Sequence, residues 1–432
     1  MRRFGRTLLI PTALALAITA TLPAHATPPP TIAGSDPIRD RTTPVPTTRA
    51  TPAPARTGTT TLAPGVTYTT FTATASGGPI QGYLLDADLA NRRTTIGLLH
   101  PQDVAARATV SAMTNARHAI AGVNGDFFNI TETHPGVVPT GSSVGPEVTA
   151  GHDLKAAVPD GQRFGPALTP GATDEDVLGI TRTGTARLSD LHLTGTLTYG
   201  RTRLAVRALN QYAIPDDAIG AFTHAWGPAP RERAVCGSDT DRTAPCSTDT
   251  TEVTIRHNTV TATAGTVGAG PIPRDTTVLV GRDDGADRLR TLHPGDHVRL
   301  TYHLTGPDHL RFAIGGLPIR RAGAPVPGLE TTGAAPRTAA GLGDAGRRLY
   351  LMVIDGRSAT SAGVTMAELS ALLGAAGATD GVDLDGGGSS AIAVRDPGAE
   401  AATVRNVPSD GTERAVANGI GVFTSHPPAH AP

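Results

Sequence analysis

Apolar and β-branched residues alternate or bunch over residues 66–74, 80–85 and 94–99, the spacing of β-strands. A short helix is predicted over 110–118, leading into Ala119-Ile120-Ala121-Gly122-Val123, a buried strand. From about 135 to 327 the pattern breaks into loops and short strands, among them 253–256, 276–280 and 297–304. This stretch is β-rich, but the pattern alone does not fix its pairing. Leu349-Tyr350-Leu351-Met352-Val353-Ile354 is a strong buried strand. The clearest helix follows it. Thr365 caps it, Glu368 completes a capping box, Met366, Leu369, Leu372 and Leu373 make its apolar face, and Gly377 closes it. A strand at 381–384, a glycine turn at 386–388 and a last strand at 419–423 complete the pattern. The expected class is α+β: a mixed β-sheet core with few helices and a β-rich central lobe at about 165–327.

Composition narrows the setting. The chain has 432 residues, 39% of them hydrophobic, enough for one large domain or two smaller ones. Lys plus Arg is 37 against 38 Asp plus Glu, so no basic excess attracts nucleic acid. Lys155 is the only lysine, which fits the Ala, Thr, Pro and Gly bias better than a functional signal. Residues 1–26 have the form of an export signal: Arg2, Arg3 and Arg6, an apolar stretch, then Ala24-His25-Ala26. Residues 27–60 are rich in Pro and Thr and are expected to form a disordered linker. The main domain is expected at 61–425, with 426–432 a tail and no membrane span after the signal. Cys236 and Cys246, the only two cysteines, read as one disulfide in an exported protein; a metal site on two such thiols is poor.

The chemistry gathers at strand ends. In Val382-Asp383-Leu384-Asp385 the two acids share a strand face, and Gly386, Gly387, Gly388, Ser389 and Ser390 follow. Alone, the stretch fits a plain hairpin as well as a functional loop. Asn124 and Asp126 lie at the end of the early buried strand, and Asp355 and Arg357 follow the strand of 349–354. Arg337, Thr338, Arg414 and Asn418 complete a set rich in carboxylates and arginines. Carboxylates serve glycosidic cleavage, while arginine forks and glycine-loop N–H groups hold phosphate oxygens. A sugar phosphate or a polysaccharide is therefore the expected partner. No Gly-Lys-Ser/Thr follows the glycines, which excludes a Walker loop, and they precede rather than flank the serines, against a serine-hydrolase elbow. Asn129-Ile130-Thr131 matches a glycosylation sequon, a pattern frequent by chance.

NGDFF at 124–128, RTAAG at 337–341, DGR at 355–357, VDLDGGGSS at 382–390 and PSDGTERAVANGIGVF at 408–423 resemble, in this order, the phosphodiester glycosidase family. The resemblance spans most of 61–424. It implies hydrolysis of a sugar-1-phosphodiester at the glycosidic bond, in an exported, exopolysaccharide-related protein. On this reading Asp126, Asp385 and Asp355 are the candidate catalytic acids. Asn124, Arg337, Thr338, Arg357, Gly386, Gly387, Gly388, Ser389, Ser390, Arg414 and Asn418 would hold substrate. No cofactor is required by the sequence, though a divalent cation on the acids is compatible with it. Three alternatives stay open: a phosphodiesterase that cuts P–O, a non-catalytic binder of wall polysaccharide, and an inhibitor or adhesion domain tethered by residues 27–60, for which the sequence offers nothing positive.

Overall fold

The computed structural model describes residues 54–425. The expected signal at 1–26, the tail at 426–432 and the linker up to residue 53 lie outside these residues. The first strand, Ala55–Ala63, begins inside the Pro/Thr-rich stretch, ahead of the expected boundary at Thr61. Its threonines pair in register with the strand Val66–Ala75, so β-branched side chains here make an edge strand rather than a tether.

An eight-stranded sheet is the base of the fold. Its order runs Ala55–Ala63, Val66–Ala75, Gly78–Asp88, Arg348–Ile354, Arg337–Gly343, Asp380–Leu384, Leu317–Arg321 and Ala324–Pro325. Every pairing in it is antiparallel, where a mixed sheet was expected. The reason lies in the strand Arg337–Gly343. It inserts between Arg348–Ile354 and Asp380–Leu384, the two strands joined by the helix Met366–Ala376, and pairs antiparallel with both. The helix forms as its sequence dictates. The Thr365 hydroxyl accepts from the Glu368 N–H, Glu368 reaches back to the Thr365 N–H, and Gly377 ends it with a φ of +108°.

A second, five-stranded sheet carries Thr403–Val404, Ile392–Val394, Ala121–Asn124, Gly419–Thr424 and Thr94–Leu99. Between it and the large sheet lies an apolar core: Leu85, Leu351, Val353, Val382 and Leu384 on one side, Val123, Ile392, Ile420 and Val422 on the other. The opposite face of the large sheet packs against Met366, Leu369, Leu372 and Leu373 of the helix. A third sheet joins Glu147–Thr149 and His152–Lys155 to Leu310–Gly315, Asp176–Thr181 and Ala186–Asp190.

The central lobe is β-rich, as its pattern predicts. It comprises a three-stranded and a five-stranded sheet around a core of its own that includes Leu197, Leu209, Val253 and Leu279. Cys236 and Cys246 are joined there as a disulfide. With 26 strands and three α-helices among the described residues, the fold is β-rich with few helices. None of those helices is long and apolar enough to cross a membrane.

The glycine turn is not a hairpin tip. The strand before it, Asp380–Leu384, belongs to the large sheet, and the strand after it, Ile392–Val394, belongs to the five-stranded sheet. The loop is the passage from one layer of the sandwich to the other.

Candidate active site

The passage is pinned by one side chain. Asn124, at the end of Ala121–Asn124, donates from Nδ2 to the Asp385 carbonyl at 2.6 Å. Its Oδ1 accepts from the Thr338 hydroxyl at 2.7 Å and the Ala391 N–H at 3.0 Å. Asn124 therefore ties both sheets to the loop, and Thr338 serves that tie. Gly387 takes a φ of +61°, and the backbone makes a single 3₁₀ turn over Gly387–Ser389. A Cβ on Gly388 would collide with Arg414 Nη2 and Asp410 Oδ2, so glycine there lets the arginine lie against the loop. Arg414 donates to Asp410 Oδ2 from Nε at 2.8 Å and to the Ser389 hydroxyl from Nη1 at 3.4 Å.

The four acids singled out by the sequence have different surroundings. Asp385 is 2% exposed and its Oδ2 has no hydrogen-bond partner. Burial pushes its pKa up to about 7, against the pull of Ser389 and Arg414 and with help from the charges of Asp126 and Asp383. Asp126 is equally buried but held at both oxygens, Oδ1 by the Phe127 N–H at 2.8 Å and Oδ2 by the Gly145 N–H at 2.6 Å. Burial raises it to about 6, opposed by the Gly145 N–H and by Lys155 and Arg163. Asp383 is fully enclosed, and Arg337 Nη1 lies 3.9 Å from its Oδ2, too far for a hydrogen bond, so both its oxygens lack a donor. Burial pushes it to about 7.

Asp355 differs from these. Its Oδ2 accepts from the Tyr83 hydroxyl at 2.9 Å, and its Oδ1 from the Val407 N–H at 3.0 Å and Asn406 Nδ2 at 3.3 Å. With these donors it anchors the segment after Thr403–Val404 to the large sheet.

The arginines divide in the same way. Arg414 lies against the glycine loop at Gly388 and Ser389. Arg337 is buried, and its guanidinium is engaged by the Val364 and Gly333 carbonyls and by Glu330. Arg357 stands on the exposed turn after Asp355 with a φ of +59°. Asn418 sits behind Asp126: its Oδ1 accepts from the Asp126 N–H at 2.9 Å, and its Nδ2 donates to Glu147 Oε1 at 2.8 Å. Ser390 is buried, and its hydroxyl lacks a partner.

Behind Asp126 lies a layer that motif reading did not find: Gly145, Glu147, Lys155, Arg163 and Asp174. Arg163 pairs with Asp174, and its guanidinium stacks 5.1 Å from the Phe127 ring. Burial lifts Asp174 to about 7. The one signal pointing there was the single lysine, read only as composition.

Among the described residues, the one group with metal-ligand spacing is His134 with Cys236 and Cys246. Those thiols are joined in the disulfide, so the group does not fit a metal ion. Asn129 of the sequon is fully buried and binds Thr140 and Thr131, which closes it to a glycan. A surface cleft of about 900 Å³, lined by Asp160, Arg207, Asp216 and Arg288 among others, contains no residue of the glycine loop.

Uncommitted carboxyl oxygens thus lie beside a glycine loop and an arginine where the chain crosses between two sheets. Residues 249–423 match the phosphodiester glycosidase family. The match takes in the glycine loop, Asp355, Arg337, Arg414 and Asn418, while Asn124 and Asp126 precede it. No curated protein matches the chain.

Among solved structures, a hypothetical protein from Synechocystis has 21% identity and a TM-score of 0.65, over 87% of this chain and 64% of that one. The chain thus spans less than two thirds of that relative's length. A candidate exported protein from Burkholderia pseudomallei has 24% identity and a TM-score of 0.62, over 81% of this chain and 76% of that one. These two show a shared fold. The catalytic domain of zebrafish N-acetylglucosamine-1-phosphodiester alpha-N-acetylglucosaminidase, auto-inhibited by its pro-peptide, has 13% identity and a TM-score of 0.41, over 87% of this chain and 88% of that one.

Proposed function

We propose that the protein is an exported hydrolase that cleaves the glycosidic bond of a sugar-1-phosphodiester, with an N-acetylglucosamine-like sugar of a wall or extracellular polysaccharide as the substrate class. The observation that carries this reading is Asp385: a buried carboxyl beside the glycine loop, one oxygen uncommitted, raised to about 7. A group that titrates near neutrality can both hold and release a proton at working pH. The family match and the export-type N-terminal sequence support the rest of the reading.

In this scheme water attacks the anomeric carbon and the C–O bond to phosphate breaks, giving free sugar and a phosphate monoester. Asp385 takes the proton of the attacking water. Asp126, held at both oxygens, presents a fixed charge to the positive charge that develops on the ring. Arg414 and the Ser389 hydroxyl face the departing phosphate. A phosphodiester is a good leaving group, so charge stabilisation matters more than a strong acid.

The test is a panel of sugar-1-phosphodiesters, wall teichoic-type fragments included, assayed for reducing sugar with and without chelator. Release of reducing sugar by the wild type and its loss in Asp385→Asn support the reading. Binding of wall glycans with no release across the panel sinks it.

A further inference from the structure

The chain's one lysine lies behind the site with every donor occupied. Lys155 is fully buried, and its Nζ donates to three backbone carbonyls: Gly145 at 2.6 Å, Ala156 at 2.7 Å and Val144 at 3.2 Å. An ammonium has three protons, so none remains for a substrate or a proton transfer. Burying this cation is expensive, and an apolar side chain would fill the same space. Its placement has a reason in what the Gly145 peptide does on its other side. That peptide's N–H holds Asp126 Oδ2 at 2.6 Å.

Asp126 is also held from a second direction, through its backbone N–H. Lys155 sits opposite Glu147 across the strands Glu147–Thr149 and His152–Lys155. Glu147 accepts from the Ser143 hydroxyl at 2.5 Å and from Asn418 Nδ2, while Asn418 Oδ1 holds the Asp126 N–H. Lys155, Gly145, Asp126, Asn418 and Glu147 thus close a ring that runs through the Asp126 carboxylate on one side and its backbone N–H on the other. Space forces the ring to be tight, since a Cβ on Gly315 would collide with Asp126 Oδ2. The charges facing Lys155 are Glu147, Asp126 and Asp174, and those facing Asp126 are Lys155, Arg163 and Glu147, with Asp385 beyond.

We propose that Lys155 is a positioning residue. It fixes the Val144-Gly145 peptide that aims Asp126, and so sets the charge Asp126 presents to Asp385. This rests on the proposed role of Asp126 and Asp385, so the test reads the lysine directly as well as turnover. Because the chain has one lysine, protein labelled with [ζ-¹⁵N]lysine gives one Nζ signal, and no variant is needed to assign it. Burial depresses this ammonium to about 8. In the wild type the signal should inflect near pH 6, where Asp126 titrates, before titrating itself near 8. In Asp126→Asn the first inflection should vanish and the second fall by about half a pH unit or more, as the cation loses a partner.

Turnover is the second readout. Lys155→Met should lose roughly tenfold or more in kcat with KM little changed, and its acid limb should move to higher pH. Lys155→Arg, which keeps the charge, should return that limb toward the wild-type position. A Nζ signal indifferent to Asp126, in folded Asp126→Asn, overturns the proposal whether or not Lys155→Met folds. An Asp126-dependent signal in a protein that turns over no phosphodiester keeps Lys155 as the residue that holds Asp126 and overturns the proposed hydrolysis instead.

Discussion

Two strands of the large sheet end in carboxylates of opposite fate. Asp355 follows Arg348–Ile354, and Asp385 follows Asp380–Leu384 across one intervening strand. Both are buried, both follow an apolar run, and both precede glycine. Asp355 accepts from Tyr83, Asn406 and Val407, whereas Asp385 keeps Oδ2 without a donor. A strand-end acid is thus not a site by position; what separates the two is whether their lone pairs are already taken.

The comparison breaks most sharply at Asp385. Asp385→Asn should lose roughly a hundredfold or more in kcat without any fall in melting temperature, while Asp355→Asn stays within about threefold of wild type. Steady-state kinetics on a sugar-1-phosphodiester checks both, and equal losses would erase the distinction. Stability should run the other way. Asp355→Ala leaves the buried Tyr83 hydroxyl without its acceptor and removes one from Asn406, and should cost about 2–3 kcal/mol in urea unfolding, with Asp385→Ala well below that.

The acids also predict a pH slope. Asp126, Asp174, Asp383 and Asp385 titrate at about 6 to 7 in the fold, above their unfolded values. The stability they contribute is complete below the unfolded pKa of about 4 and is lost as pH rises through 6 and 7. Melting temperature should therefore fall between about pH 4 and 7, and fall less in Asp385→Asn. A melting temperature that rises across that window would contradict the burial argument. The smallest effect is expected at Tyr83→Phe, which removes one donor from Asp355 at about 1 kcal/mol without touching turnover.

Much of this was legible in the sequence, for physical reasons that also mark where reading stops. The capping box of Thr365 and Glu368 is local, and it formed as written. The glycine loop is recognisable from its run of three glycines between two acids and two serines, but its passage between sheets depends on pairing partners far along the chain. Asn124 drew notice as a polar residue at the end of a buried strand. Its partners, Thr338 and the Asp385 and Ala391 backbone, lie more than two hundred residues away. Arg337 looked free for phosphate because Glu330 and the Gly333 and Val364 carbonyls that engage it carry no motif. The ring behind Asp126 was silent for the same reason. Gly145 acts through its backbone, and Lys155 through three carbonyls that no side-chain pattern records.

Hydrolysis in ¹⁸O-labelled water tests the central claim most directly. With Asp385 serving attack at the anomeric carbon, the label should appear in the released sugar and the phosphate monoester should stay unlabelled. Label in the phosphate would show that the P–O bond breaks, and would contradict the account.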